Sequence, residues 1–118
     1  GKSILEKFAE NKAEVFACAR KENTEFKNYC SELSNKYKTK IHTIYFDLNN
    51  LDEIKKAIDQ IKSLTNRVNI LVNNAGIIQT SLFQMTKVDD LKKVFNINFF
   101  SPFLFSQYIV KLMITGLI

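Results

Sequence analysis

Apolar side chains in the first part of the chain follow two spacings, that of a helix and that of a strand. Ile4, Leu5 and Phe8 have helical spacing, which predicts a short helix from the first residues to about Lys12. Residues 15–19 then form a continuous apolar run, which is typical of a buried parallel strand. A helix followed by a strand is therefore the first pair of predicted elements.

The same two spacings repeat along the middle of the chain. Asn23 or Thr24 offers an N-cap for a second helix, and residues 41–46 form a second predicted strand. Asn50, with Glu53 three residues later, resembles a capping box at the start of a third amphipathic helix.

One more strand and a long helix are predicted in the last part of the chain. Residues 68–72 form a third buried apolar run. Thr86 or Asp89 is a candidate start for a helix that runs over residues 90–113 and is apolar on almost every side. Such a helix is expected to be buried on two faces.

The alternation of strands and helices predicts an α/β fold with a doubly wound parallel sheet of the Rossmann type. Chains of this class begin with a strand, whereas this one begins with a helix directly behind Gly1. We therefore expect residues 1–118 to form a single partial dinucleotide-binding domain. The first strand and the C-terminal strands of the full sheet are expected to be absent from it.

Composition narrows the class of protein. The chain has 17 Lys+Arg and 12 Asp+Glu, and because the two signs are interleaved its net charge of +5 predicts no nucleic-acid partner. Residues 94–110 carry no charge, but this run is shorter than the ~20 residues of a membrane span and is interrupted by polar side chains, so no membrane association is expected. Two cysteines without metal-ligand spacing predict no metal site, buried thiols and a reducing, cytoplasmic location.

A polar motif, Asn73-Asn74-Ala75-Gly76, directly follows the third predicted strand. Ligands of such sheets bind outside the carboxyl ends of the strands, where an amide can bond a ribose and small residues allow close backbone approach. The alternative is a simple polar turn. With the helix-opening Gly1, the motif resembles the short-chain dehydrogenase/reductase family, and most of all its 3-oxoacyl-acyl-carrier-protein reductases.

The resemblance implies roles for further residues. Asp47 and Leu48 match the acidic site beside the adenine, although Asp47 could also be a solvated carboxylate at a strand end. Asn98 matches the catalytic asparagine, and the resemblance implies cofactor contacts for Asn74, Ala75 and Gly76. The family's Tyr-x-x-x-Lys pair does not occur in this sequence, so the chain looks like an internal segment that is inactive and poorly soluble alone.

The cofactor is predicted from the residues after the first predicted strand. An Asp or Glu there bonds the ribose 2′-hydroxyl of NAD, whereas a basic residue favours a 2′-phosphate. This chain has Arg20 and Lys21, which predict NADP(H), with Arg20 forked on the phosphate and Lys21 as a point charge. The alternative is a solvated basic pair.

Together these features predict an NADP(H)-dependent oxidoreductase. It would transfer hydride between the nicotinamide and a small carbonyl or alcohol substrate, for which 3-oxoacyl-acyl-carrier protein is a candidate. A homodimer or homotetramer through the last helix is expected. The alternatives are a non-catalytic nucleotide-binding or oligomerisation fragment and, disfavoured by the Asn-rich motif, a flavodoxin-like signalling domain.

Pro102 predicts an irregular turn beside Asn98. The carbonyl of residue 98 in an α-helix would accept from the N–H of residue 102, which proline lacks. The family resemblance implies that the main chain at Asn98 holds a water that relays protons. We expect a bend or bulge at this turn and an Asn98 oxygen facing the cleft near Asn74; a simple kink is the alternative.

Overall fold

A computed structural model describes residues 1–115, in which the chain forms two compact units, Gly1–Asp47 and Leu48–Ile118. In chain order the elements are helix α1 (Lys2–Glu10), strand β1 (Val15–Ala19), helix α2 (Thr24–Tyr37), strand β2 (Ile41–Tyr45), helix α3 (Leu51–Leu64), a short 3₁₀ turn (Phe83–Met85), helix α4 (Val88–Phe95), a π-helical turn (Asn96–Phe100) and helix α5 (Ser101–Thr115).

The N-terminal unit contains a parallel pair of strands with helices packed on it. β1 and β2 run in register from Val15 opposite Ile41 to Ala19 opposite Tyr45, as the apolar runs predict. Asn23, rather than Thr24, caps α2 by accepting from the N–H of Phe26 at 3.1 Å. The core of this unit contains the cluster Leu5, Ala9, Ala17, Cys30 and Leu33, and Ile44 and Phe46 are buried as well. Cys18, which we expected to be buried, is exposed on β1.

The C-terminal unit is built from helices. Asn50 caps α3, its side-chain oxygen accepting from the N–H groups of Asp52 and Glu53 at 3.1 and 3.3 Å. The buried face of α3 packs against α5. The buried residues are Ile54, Ala57, Ile58 and Ile61 of α3 and Ile97, Ser101, Phe105 and Ile109 of the last helical segment. The second set is spaced by four residues, so it forms one narrow stripe.

The prediction of a third strand at residues 68–72 is wrong for the residues that the structure describes. The sheet of residues 1–115 has two strands, and no strand pairs with this segment. An extended segment becomes a strand only through hydrogen bonds to a neighbour, and apolar sequence alone does not supply one. Ile70 and Val72 are consequently exposed, at 62% and 46%.

The last helix also differs from its prediction. It starts at Val88 behind Lys87, and neither Thr86 nor Asp89 caps it. The hydroxyl of Thr86 donates instead to the carbonyl of Leu82 at 2.9 Å, within the preceding turn. The Thr86 side chain therefore closes the preceding turn and does not cap the helix.

The burial of the last helix on two faces is likewise not found. The segment Val88–Thr115 is continuous and, by length and composition, long and apolar enough to cross a membrane, yet 22% of its most apolar window is buried. Its exposed aromatic residues include Phe95, Phe99, Phe100 and Phe103. One stripe of the helix faces α3, and residues 73–77 are hydrogen-bonded to it at Asn98 and Ser106, while the aromatic side chains named above stay exposed.

Candidate functional site

The carboxyl ends of β1 and β2 bring two of the predicted cofactor residues together. The parallel ladder continues past the strands, since the N–H of Phe46 donates to the carbonyl of Ala19 at 3.0 Å. Arg20 follows Ala19 and Asp47 follows Phe46, so the two side chains leave the same edge. Nε of Arg20 lies 3.4 Å from Oδ2 of Asp47, in a salt bridge whose side chains are 65% and 27% exposed.

Lys21 adds a second cation after Arg20. It is exposed and makes no ion pair or hydrogen bond within residues 1–115. Arg20 and Lys21 are thus both accessible cations, but only Arg20 is held by a carboxylate. A flexible ammonium and a partly fixed guanidinium at one strand end can attract and orient an anion.

A second polar group lies in the C-terminal unit, where the side chain of Asn98 holds the backbone of Ile77. The amide oxygen of Asn98 accepts from the N–H of Ile77 at 2.8 Å, and the amide nitrogen donates to the Ile77 carbonyl at 2.6 Å. Both backbone groups of one residue are therefore paired, as a neighbouring strand would pair them. We call this the Asn98 clamp.

The Asn-rich motif is held against the last helix at a second point. The side chain of Asn73 donates to the hydroxyl of Ser106 at 3.1 Å. A Cβ added to Gly76 would lie 3.3 Å from Oδ1 of Asn98, so glycine permits the close approach that the clamp uses. Asn74 and Ala75, between these points, are exposed. The motif therefore presents two of the predicted cofactor residues to solvent from a fixed backbone.

The turn that carries Asn98 is irregular at the predicted position. Residues Asn96–Phe100 form a π-helical turn in which the N–H of Ser101 donates to the carbonyl of Asn96. Pro102 has no N–H to donate, so the α-helical partner of the Asn98 carbonyl is missing. The expected bulge is confirmed, while the role of the Asn98 carbonyl stays a prediction.

The π-helical turn is also tied to the loop between β2 and α3. The hydroxyl of Ser101 donates to the carbonyl of Leu48, which the sequence placed beside the adenine. Asn49 follows Leu48, and its side-chain oxygen accepts from the side-chain amide of Asn96 at 2.9 Å. Leu48 is thus held through its backbone carbonyl, while its predicted contact beside the adenine stays a prediction.

Sequence reasoning missed five residues of this group: Asn49, Ile77, Asn96, Ser101 and Ser106. Ser101 and Ser106 are polar positions in a largely apolar helix, which is the signal that could have identified them. Ile77 gives no such signal, because it takes part through its backbone alone.

The described residues fit the adenosine end of a dinucleotide better than its pyrophosphate. A guanidinium held on one side by a carboxylate suits a phosphate monoester on a ribose. A pyrophosphate in this class of fold needs a glycine-rich turn, and the sequence has 3 Gly, which do not group into such a turn. Within residues 1–115 no three His, Cys, Asp or Glu residues could hold a metal ion.

Comparison with known proteins identifies the family that the chain resembles. The sequence pattern of the short-chain dehydrogenases matches residues 1–117. The chain is 32% identical over 114 residues to a 3-oxoacyl-[acyl-carrier-protein] reductase of Aquifex aeolicus, covering 97% of this chain and 46% of the relative. It is 30% identical over 115 residues to an NADPH-dependent 3-dehydrocapnine reductase of Ornithobacterium rhinotracheale, covering 96% and 39%. The chain thus spans less than half the length of these relatives.

Solved structures resemble the fold closely. A short-chain dehydrogenase/reductase from Serratia marcescens has a TM-score of 0.87 at 25% identity and covers 96% of this chain and 46% of its own. The L-sorbose reductase of Gluconobacter frateurii, solved with NADPH and L-sorbose, has a TM-score of 0.89 at 18% identity, covering 96% of this chain and 43% of its own. These neighbours are of the Rossmann type, so the predicted α/β class is confirmed.

Proposed function

Because the chain belongs to the short-chain dehydrogenase family, we propose that the intact protein is an oxidoreductase that uses NADP(H) to interconvert a small carbonyl compound and its alcohol. The family supports the class of oxidoreductase and a small-molecule substrate. The similarity to a 3-oxoacyl-[acyl-carrier-protein] reductase makes a 3-oxoacyl thioester the first substrate to assay.

The observation that carries the choice of cofactor is the pair of cations after β1. In sheets of this kind an acidic residue at that strand end selects the free ribose of NAD. Here Arg20 is 65% exposed, and beyond its Nε contact with Asp47 it has no partner within the described residues. Its two terminal amino groups suit a bidentate bond to a 2′-phosphate, with Lys21 adding charge.

The Asn98 clamp bears on catalysis. When bound, the nicotinamide supplies or accepts the hydride. Both polar atoms of the Asn98 side chain are engaged by Ile77, so that side chain is not the group that handles a proton. Its main-chain carbonyl, which lacks an α-helical donor at Pro102, is the atom proposed to hold a water for proton relay.

Steady-state kinetics of the intact protein with NADPH and NADH test this proposal. We expect a preference for NADPH in kcat/KM, and we expect Arg20→Ala to remove most of it by raising KM for NADPH and leaving KM for NADH unchanged. Lys21→Ala is the matched control and should reduce the preference less, because an ammonium does not fork a phosphate. Equal use of both cofactors, or a preference that survives in Arg20→Ala, would contradict the assignment.

A further inference from the structure

The salt bridge at the end of β1 and β2 is built on fixed backbone. The bond from the Phe46 N–H to the Ala19 carbonyl joins the residues directly before Asp47 and Arg20. Phe46 is buried, with 7% of its surface exposed, which anchors that end of β2. The two partners therefore start from Cα positions that the sheet holds, although they are 27 residues apart in the sequence.

The contact uses one side of the guanidinium. Asp47 meets Arg20 at Nε, at 3.4 Å, and Arg20 has no partner residue other than Asp47 within residues 1–115. An arginine side chain has many rotamers, and a bond at Nε removes part of that freedom before any ligand arrives. Such a side-on contact leaves the planar fork of terminal amino groups for a phosphate.

Resting on the proposed use of NADP(H), we propose that Asp47 is a positioning residue that orients Arg20 for the 2′-phosphate of the cofactor. This is distinct from the adenine contact that the sequence suggests for Asp47. A carboxylate has about four acceptor positions, so one contact does not exclude the other. In this arrangement an acidic residue promotes recognition of an anion.

A carboxylate close to a phosphate also repels it, and this effect opposes the positioning. At an exposed site the repulsion is weakened by solvent and salt. The guanidinium lies between fixed backbone and solvent with 65% of its side chain exposed, whereas Asp47 is 27% exposed. We therefore expect orientation of the fork to outweigh repulsion.

Two ligands that differ only in the 2′-phosphate separate these effects. Calorimetric titration of the intact protein with adenosine 2′,5′-bisphosphate and with 5′-AMP gives the ratio of the two dissociation constants, in which any adenine contact cancels. Asp47→Ala removes the partner of Nε, and Asp47→Asn keeps an acceptor without the charge. Asp59→Ala, on the exposed face of α3, is a control for loss of one acidic residue elsewhere.

We expect the preference for the bisphosphate to fall about three- to six-fold in Asp47→Ala, as suits a pair at this exposure. It should be largely restored in Asp47→Asn and unchanged in Asp59→Ala, and melting curves should show all variants folded. An unchanged ratio in Asp47→Ala, or a higher ratio in both Asp47 variants, would overturn the positioning role. If the unaltered protein itself shows no preference for the bisphosphate, the proposed cofactor selection is wrong, and this inference with it.

Discussion

Two polar groups follow extended segments in this chain, and they are held in different ways. Arg20 and Asp47 stand at the end of a complete two-stranded ladder and hold each other by charge. The Asn-rich motif follows a segment that no described strand pairs with, and neutral amides fix it to a helix.

The difference shows two ways of fixing a polar segment, one after a paired strand and one after a segment without a strand partner. Ladder hydrogen bonds place the first pair, so its side chains are left to interact with each other and with a ligand. In the second group the Asn98 amide supplies the backbone bonds that a strand would supply. The guanidinium of Arg20 is therefore accessible at the first site, whereas the Asn98 side chain is occupied by Ile77 at the second.

The largest expected effects come from truncating the core of each unit. Ile44→Ala in β2 and Ile58→Ala in α3 remove side chains that are 0% and 2% exposed, and each should lower the free energy of unfolding by about 2–5 kcal/mol. Urea unfolding measures the loss. Amide hydrogen exchange tests whether the two polar groups are held separately. In Ile44→Ala, exchange of the Phe46 amide should be accelerated more than that of the Ile77 amide. Equal acceleration at Ile77 in that variant would show that the two groups are not held separately.

Next in size is removal of the Asn98 clamp. Asn98→Ala leaves both backbone groups of Ile77 without this partner, which should cost about 1–2 kcal/mol of unfolding free energy. Exchange of the Ile77 amide should become faster, while that of the Phe46 amide stays the same. An unchanged exchange rate at Ile77 would mean that the clamp does not replace ladder bonds.

How far the sequence predicts this fold depends on whether the controlling contacts are local. The bounds of β1, and the caps at Asn23 and Asn50, follow from neighbouring residues and were predicted closely. The prediction of a strand at residues 68–72 was wrong, because a strand needs a partner that the local sequence pattern does not reveal. The same holds for the pairing of Arg20 with Asp47, which strand register alone brings about.

The helix caps provide a smaller, matched pair of tests. Asn23 accepts one backbone bond at the start of α2, and Asn50 accepts two at the start of α3. Substitution by Ala should cost about 0.5–2 kcal/mol in each case, with Asn50→Ala the more damaging. Thermal melts of the two variants and of the double variant compare them. A larger loss for Asn23→Ala would contradict the count of bonds as the cause.

The smallest effect is expected from thiol titration, which reports on the N-terminal unit alone. Both cysteines lie in that unit; Cys18 is exposed and Cys30 is buried. Desolvation raises the pKa of both thiols above the ordinary value of 9.0, that of Cys18 to about 11, so the unfolded chain loses these protons first and stability falls as the pH rises above about 9. Cys30→Ala should flatten that part of the profile partly, and Cys18→Ala should remove the rest.

Labelling kinetics check the same assignment directly. In native buffer the Cys18 thiol should react with a maleimide, although more slowly than a free thiol because desolvation raises its pKa to about 11, and the second thiol should react only as urea unfolds the N-terminal unit. Rapid modification of both thiols without urea would show that Cys30 is not protected.

The π-helical turn at Asn96–Phe100 has a consequence for the helical phase of the last segment. A π turn accommodates one extra residue, and each residue of an α-helix advances by about 100°. Side chains before the turn and after it therefore do not share the face that a continuous α-helix would give them. Deleting one residue here would make the segment a continuous α-helix. α4 would then be rotated by about 100° relative to the buried stripe of α5, and Asn98 would turn away from Ile77. The single added residue thus sets which side chains of one long helix can face the Asn-rich motif.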